Sequence, residues 1–387
     1  MNTTTTQPGW AHHARDLAAL LRDRGDLVSP EWVDAFAAVP RHVFVPTVFE
    51  QDAGGVWREW AAADDWERVY STRTLVTALG DGGGYPEPVS SSTNPELMAR
   101  MLETLDVRDG HRVLEIGTGT GYNAALMSHR LGDRNVYSVD VDDRLVELAR
   151  DRLAEAGYTP TVVAVDGEDG LSEHGPYDRI IATCAVPSVP RAWADQLAPG
   201  GEVLVDLKLA TSAGNLVHLH RTADGGLEGR FLPRMATFML MRHLHATAAP
   251  QAAAAVVGAR RERTTIAPAM PWQTEPVVWF LAQLHGLPEG VRHGAILDPG
   301  TRQPVAATLS APDGSRARID LANNTVTETG GTALWEPVEA AYARWVDAGR
   351  PGWDRLGVTV ASDGVNRVWL DDPAIGHAWP WSRSGRH

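Results

Sequence analysis

Between residues 113 and 122 the chain reads Val-Leu-Glu-Ile-Gly-Thr-Gly-Thr-Gly-Tyr, three glycines at alternate positions after an apolar run. That arrangement predicts a buried strand, a tight turn and a helix opening at Tyr122. Glycine at each turn position lets a ligand approach backbone with no Cβ in the way. The flanking sequence repeats the pattern. A helix is predicted over 95–105 and strands over 112–116, 136–140, 161–165, 179–183 and 202–207. Helices over 122–131, 144–156 and 190–197 separate most of them. Short apolar runs alternating with amphipathic helices predict an α/β, Rossmann-like, doubly wound parallel sheet with helices on both faces.

The loop departs from a dinucleotide-binding turn. Gly-x-Gly-x-x-Gly would place its third glycine where Tyr122 stands; here that glycine is one earlier, at 121. Glu115 also precedes the loop by two residues, where it would repel a pyrophosphate. S-adenosylmethionine has no phosphate and carries a sulfonium and an ammonium, so a carboxylate there favours it. Asp140 ends the next strand, 19 residues past Gly121, placed to accept both ribose hydroxyls. Asp166-Gly167 follows the third strand and is placed to face the adenine. The expected cofactor site is therefore Glu115, Gly117, Thr118, Gly119, Gly121, Asp140, Asp166 and Gly167, with S-adenosylmethionine as donor and S-adenosylhomocysteine as product.

The rest of the chain bounds the reading. Residues 10–24 and 29–40 predict helices, the second with Ser29 as N-cap and Pro30 in its first turn. Residues 52–88, rich in Trp, Gly and Pro, read as an irregular binding loop or lid. Residues 1–246 are expected to form the catalytic domain, 247–264 a linker, and 265–387 a smaller α+β domain. In that last domain, turns at Asp313-Gly314 and Asp363-Gly364 predict hairpins, and 334–347 a helix. One cysteine, Cys184, excludes an intrachain disulfide framework and fits a reducing, cytoplasmic setting. The formal net charge of −14 argues against a nucleic-acid partner. No apolar run reaches the ~18–20 residues of a membrane span, and Met1–Gly9 reads as a short polar leader without a secretion signal. Oligomeric state is not legible. His12-His13 and the pair His243 and His245 lack matching Cys or acidic ligands, so no metal is expected. Of 14 tryptophans, Trp335, Trp345 and Trp369 fit core positions, and Trp379 and Trp381 are candidates for docking a peptide.

Several stretches resemble the protein-L-isoaspartate O-methyltransferase family over roughly the first 235 residues. They include Ala37-Ala-Val-Pro-Arg-His-Val-Phe-Val-Pro46, Asn94-Pro-Glu-Leu-Met-Ala-Arg-Met101, Val113–Tyr122, Asp166-Gly167, Thr183-Cys-Ala-Val-Pro187 and Arg230-Phe-Leu-Pro233. The resemblance implies methyl transfer to an aspartate-derived carboxylate in a peptide. It points to Thr93 and Ser92 as the residues that orient the acceptor, with Ser91, Asn94, Val186 and Arg230 lining the substrate. Three departures qualify it. Thr93 stands where the family has serine, loop 52–88 is longer, and the family's repair enzymes end near where the tail here begins. The tail looks like that of actinobacterial relatives associated with lanthipeptides, lasso peptides and graspetides. Those relatives esterify one aspartate of a cyclised ribosomal peptide, and the ester collapses to an aspartimide. That specialised activity is the expectation carried forward. General isoaspartyl repair is the alternative, and a non-catalytic binding scaffold a third.

Overall fold

A computed structural model describes residues 9–81, 84–243, 260–362 and 366–381. They fall into two compact units. The first lies within Met1–Cys184, Ala192–Leu204 and Met241–His245, the second within Ala185–Arg191, Val205–Leu240 and Ala246–His387.

The first unit opens with helices α1 (Trp10–Asp23), α2 (Pro30–Ala38) and α3 (Arg41–Phe44). Ser29 does sit at the N-cap of α2 with Pro30 following, but its hydroxyl makes no capping bond. It donates instead to Glu103 Oε2 at 2.6 Å, and the amides of Val28 and Ser29 donate to Oε1.

The stretch expected to be irregular is a sheet. Strands β1 (Thr47–Gln51), β2 (Trp57–Ala61), β3 (Leu75–Asp81) and β4 (Pro86–Ser92) pair antiparallel in the order β2-β1-β3-β4, with α4 (Trp66–Val69) between β2 and β3. Pro86 and Pro88 obscured β4 in the sequence. It is an edge strand, where a missing N–H costs no ladder bond.

After α5 (Pro95–Thr104), the parallel strands follow: β5 (Val113–Ile116), β6 (Val136–Asp140), β7 (Thr161–Ala164) and β8 (Tyr177–Val186). Helices α6 (Tyr122–Leu131) and α7 (Asp143–Glu155) connect the first three. The order β7-β6-β5-β8 places the first strand beside both the second and the last. Every residue of β5 and β6 is buried, so these strands read as largely apolar runs, broken only by Glu115, Ser138 and Asp140. The register pairs Glu115 with Ser138 and Ile116 with Val139, so both strands end together and their following loops share one edge. Helix α8 (Arg191–Gln196) and strand β9 (Leu197–Ala210) come next.

The second unit continues with β10 (Ala213–Arg221), β11 (Leu227–Phe231), β12 (Arg261–Thr264), α9 (Pro271–Thr274), α10 (Pro276–Leu284), β13 (Arg292–Leu297), β14 (Pro304–Ser310), β15 (Arg316–Asp320), β16 (Thr325–Thr329), α11 (Glu336–Asp347), β17 (Leu356–Val360), β18 (Asn366–Leu370) and β19 (Ala378–Trp381). Two antiparallel arrays form: β10-β11-β17-β18-β19 and β12-β16-β15-β14-β13. The Asp313-Gly314 hairpin pairs Ser310 with Arg316 as expected. Strands β17 and β18 also pair, while their Asp363-Gly364 turn lies outside the described residues. Residues 261–264, expected in the linker, are strand β12. Trp379 and Trp381 are not free anchors. They are 8% and 7% exposed on β19, which pairs with β18, and the Trp381 indole donates to Pro187 O at 3.1 Å. Among the described residues no helix is long and apolar enough to cross a membrane.

Candidate active site

All three loop glycines adopt the left-handed conformation, with φ of 98° at Gly117, 51° at Gly119 and 86° at Gly121. That backbone is strained for any residue with a side chain. A Cβ at Gly117 would also lie 2.8 Å from Thr183 Oγ1, and one at Gly121 would lie 3.3 Å from Ala149 Cβ. Gly119 is different: nothing lies within 3.7 Å of its Cβ position, and the nearest atoms are Ser90 Oγ and Ser91 O on β4. The loop thus leaves room at its centre and faces the serine run.

Hydrogen bonds hold it there. The Gly117 and Thr118 amides donate to Val139 O, and the Gly119 amide donates to Asp140 Oδ2 at 2.9 Å. Asp140 Oδ1 accepts from the Asp142 amide at 3.2 Å. Thr183 donates its hydroxyl to Gly117 O at 2.7 Å.

Glu115 sits below the loop and is 1% exposed. Its Oε1 accepts from Asn123 Nδ2 at 2.7 Å and its Oε2 from Ser138 Oγ at 2.5 Å. Thr118 Oγ1 extends the chain, 2.7 Å from Ser138 Oγ. Burial pushes the Glu115 carboxyl up to about 7, against the opposing pull of the Ser138 and Asn123 bonds. The sequence places this group against a cationic ligand. In the fold each oxygen is engaged by a neighbour on α6 or β6.

Asp166 caps the turn after β7, accepting from the Glu168 amide at 3.0 Å. A Cβ at Gly167 would lie 2.6 Å from Ile116 Cγ2, so only glycine fits beside β5. Residues 241–243, of which the sequence marked only His243, and that as a metal candidate lacking acidic partners, lie over the same edge. Met241 Sδ would be 3.1 Å from a Gly167 Cβ, and Arg242 Nη2 is 3.9 Å from Asp140 Oδ1. His243 Nδ1 is 3.2 Å from both Asp166 oxygens. Candidate ligand atoms of Asp166, Glu168 and His243 all lie within 4.8 Å of one another. His245 lies outside the described residues.

Of the acceptor candidates, Ser91 is the one that lies beside the loop, its carbonyl oxygen 3.9 Å from a Cβ placed on Gly119. Asn94 caps α5, its Oδ1 accepting from the Glu96 amide at 2.7 Å, so Thr93 is not the cap. Among the described residues the Thr93 hydroxyl takes up no hydrogen bond. Ser92 is buried and its Oγ accepts from Arg41, while Ser91 is half-buried. Val186 and Arg230 belong to the second unit. The Arg230 guanidinium stacks 4.7 Å from the Trp369 ring centroid and donates to Asp371 O and Asp354 O. Besides Met241 and Arg242, the sequence reading missed Asn123, Ser138, Thr183 and the environment of Arg41. Ser138 alone had a signal, a hydroxyl opposite Glu115 if the two strands pair in register.

A parallel sheet with a positive-φ glycine loop at the tip of its first strand and a carboxylate at the tip of its second is a frame for an adenosine-bearing cofactor, and the family match makes its class an S-adenosylmethionine-dependent methyltransferase. The family model for protein-L-isoaspartate(D-aspartate) O-methyltransferase matches residues 12–238, and the chain belongs to that family. The Methanosarcina mazei protein-L-isoaspartate O-methyltransferase is 36% identical over 183 residues, 47% of this chain and 65% of that protein. Its Methanococcoides burtonii counterpart is 34% identical over 197 residues, 50% of this chain and 84% of that protein. A solved structure described as a protein-L-isoaspartate O-methyltransferase superposes with a TM-score of 0.56, covering 93% of this chain and all of that one. At 22% identity it speaks to fold alone.

Proposed function

We propose that this chain methylates the side-chain carboxylate of isoaspartyl residues in proteins or peptides. The family match over 12–238, with Ser90 and Ser91 of β4 lying nearest Gly119, carries this reading.

The residues suit such a reaction. Loop 117–121 and Asp140 would hold the donor, with Gly119 giving space and Asp140 facing the ribose. Asp166, Gly167 and Met241 would bound the adenine. When bound, S-adenosylmethionine supplies an electrophilic methyl on a sulfonium and leaves S-adenosylhomocysteine. An acceptor carboxyl has an unperturbed pKa near ~4 and is ionised at neutral pH, so no general base is needed. The protein's task is orientation and exclusion of water. The Thr93 hydroxyl would donate to one carboxylate oxygen and leave the other for attack. Ser91 and Ser92 lie beside it. Asn94 sets the direction of the segment through its cap, and Glu115 serves from beneath by tying α6 and β6 together.

The narrower reading, esterification of one aspartate in a cyclised ribosomal peptide, loses one of its two supports. A fold spanning 93% of this chain, tail included, is found in a structure described as an isoaspartyl methyltransferase, so the tail does not mark the narrower group. The sheet β1–β4, to which the longer 52–88 segment contributes β2, β3 and the start of β4, remains in its favour. Incubation with S-adenosylmethionine, read by mass spectrometry, separates the two. Methylation of unrelated linear isoaspartyl peptides is expected. Methylation confined to a cyclised aspartyl peptide, with later loss of methanol, would overturn the general reading.

A further inference from the structure

Arg41, the first residue of α3, is completely buried. Its Nη1 donates to Val69 O at 2.7 Å and Ser71 O at 2.8 Å. Its Nη2 donates to Arg73 O at 3.1 Å, Ser92 Oγ at 3.3 Å and Thr93 O at 3.3 Å. The guanidinium carbon lies 5.8 Å from the Tyr122 ring centroid. All of these acceptors are neutral. Among the described residues no carboxylate pairs with Arg41, and the ionisable groups acting on it are Tyr122 and Tyr70. Burial lowers its pKa to about 10, which leaves it charged at neutral pH. An unpaired buried charge is costly, and proteins normally place an anion beside one.

The missing anion has a natural source at this position. Two of the groups that Arg41 holds, Ser92 Oγ and Thr93 O, belong to the segment assigned above to the acceptor. We infer that Arg41 is a specificity-determining residue whose buried positive charge selects the ionised acceptor carboxylate over its neutral forms, acting through the Ser92–Thr93 segment without touching the reacting atoms. This inference rests on the proposed function.

The charge balance of the reaction gives it a direction. The carboxylate oxygen bonds the methyl carbon as the carbon–sulfur bond breaks, and the electron pair goes to sulfur. One negative and one positive charge disappear together. Attraction to Arg41 is therefore full for the acid, reduced in the transition state and absent for the ester. It favours substrate binding and ester release, and its loss falls on KM more than on kcat. Coulomb attraction over several ångströms at an effective dielectric of ~20 corresponds to roughly ten-fold or more in affinity.

The test measures binding without turnover, by calorimetry of the full chain loaded with S-adenosylhomocysteine. The ligands are an isoaspartyl peptide and its methyl ester. In the wild type the acid is expected to bind at least about ten-fold tighter. Because the cation is shielded from solvent, that ratio should change little between about 0.05 and 0.5 M salt. Arg41→Gln should bring the ratio to within about two-fold of unity, whereas Arg41→Lys, which keeps the charge, should preserve it. A merely structural arginine would weaken acid and ester alike and leave the ratio unmoved, and that result overturns the inference. If Arg41→Gln fails to fold, the wild-type ratio decides: equal affinities for acid and ester, or a preference abolished by salt, overturns it equally. Failure of the wild type to methylate any isoaspartyl peptide would sink the functional reading instead, and turnover reports that separately.

Discussion

The Gly119 amide donates to Asp140 Oδ2 at 2.9 Å, so the carboxylate assigned to the ribose also fixes the loop beside it. With Oδ1 held by the Asp142 amide, Asp140 joins the tips of β5 and β6. Asp140→Ala removes both acceptors and, with them, the contact proposed for the ribose. Donor affinity by calorimetry should fall at least about 100-fold, the scale of two charge-assisted hydrogen bonds. Asp140→Asn, which keeps one acceptor oxygen, should lose less. Unchanged affinity in the alanine variant would remove Asp140 from the donor site.

Thr93 offers a separable prediction, because Asn94 and not Thr93 caps α5. Thr93→Ala should lower kcat by about ten-fold or more through loss of orientation, with donor affinity within about two-fold of wild type. Thr93→Ser should retain most of the rate. If the alanine variant turns over isoaspartyl peptide normally, the orienting hydroxyl belongs elsewhere, with Ser91 next to be examined.

What the sequence made legible follows burial. Strands β5 and β6 are buried throughout, so their apolar runs stood out between turn residues. Sheet β1–β4 did not, because only Ala62, Val69 and Tyr70 are buried between residues 52 and 74, and β4 is an edge strand carrying two prolines. Trp379 and Trp381 misled for a related reason: composition marks an aromatic residue but not the neighbouring strand that covers it. At the site, spacing alone found the three glycines and Asp140. It could not pair Arg242 with Asp140 or His243 with Asp166, which meet across 102 and 77 positions of sequence. The Val-Pro-Arg stretch marked Arg41 only as a point of resemblance. No nearby acid signalled a buried charge, and the absence of a carboxylate partner among the described residues is itself the informative feature.

The segment 241–243 brings a guanidinium up to the acid assigned to the ribose. Arg242 is about two-fifths exposed and lies 3.5 Å from Asp142 Oδ2 and 3.9 Å from Asp140 Oδ1. Such a pair contributes at most about 1 kcal/mol and is screened by salt. Arg242→Ala should therefore bind donor about two- to five-fold more tightly at low ionic strength, with the difference vanishing near 1 M salt. Weaker binding in the variant would show instead that Arg242 helps to hold the donor.

Glu115 links the site to stability. Burial pushes its folded carboxyl up to about 7, against 4.5 for the ordinary group. Between those values the folded chain retains a proton that the unfolded chain has released. The favourable contribution is complete below pH 4.5 and is lost as pH rises through 7, up to roughly 3 kcal/mol in all. Glu115→Gln cannot ionise, so urea-unfolding free energies measured from pH 5 to 8 should fall less steeply in the variant. The amide can keep both partners: its oxygen accepts from Asn123, and its nitrogen donates to Ser138, which turns its own proton toward Thr118. Donor affinity should then stay within about three-fold of wild type. A parallel pH slope in the two proteins would place the ionisation elsewhere. A loss of donor affinity beyond about ten-fold with stability intact would mean that the Glu115 charge, and not its hydrogen bonds, serves the cationic donor.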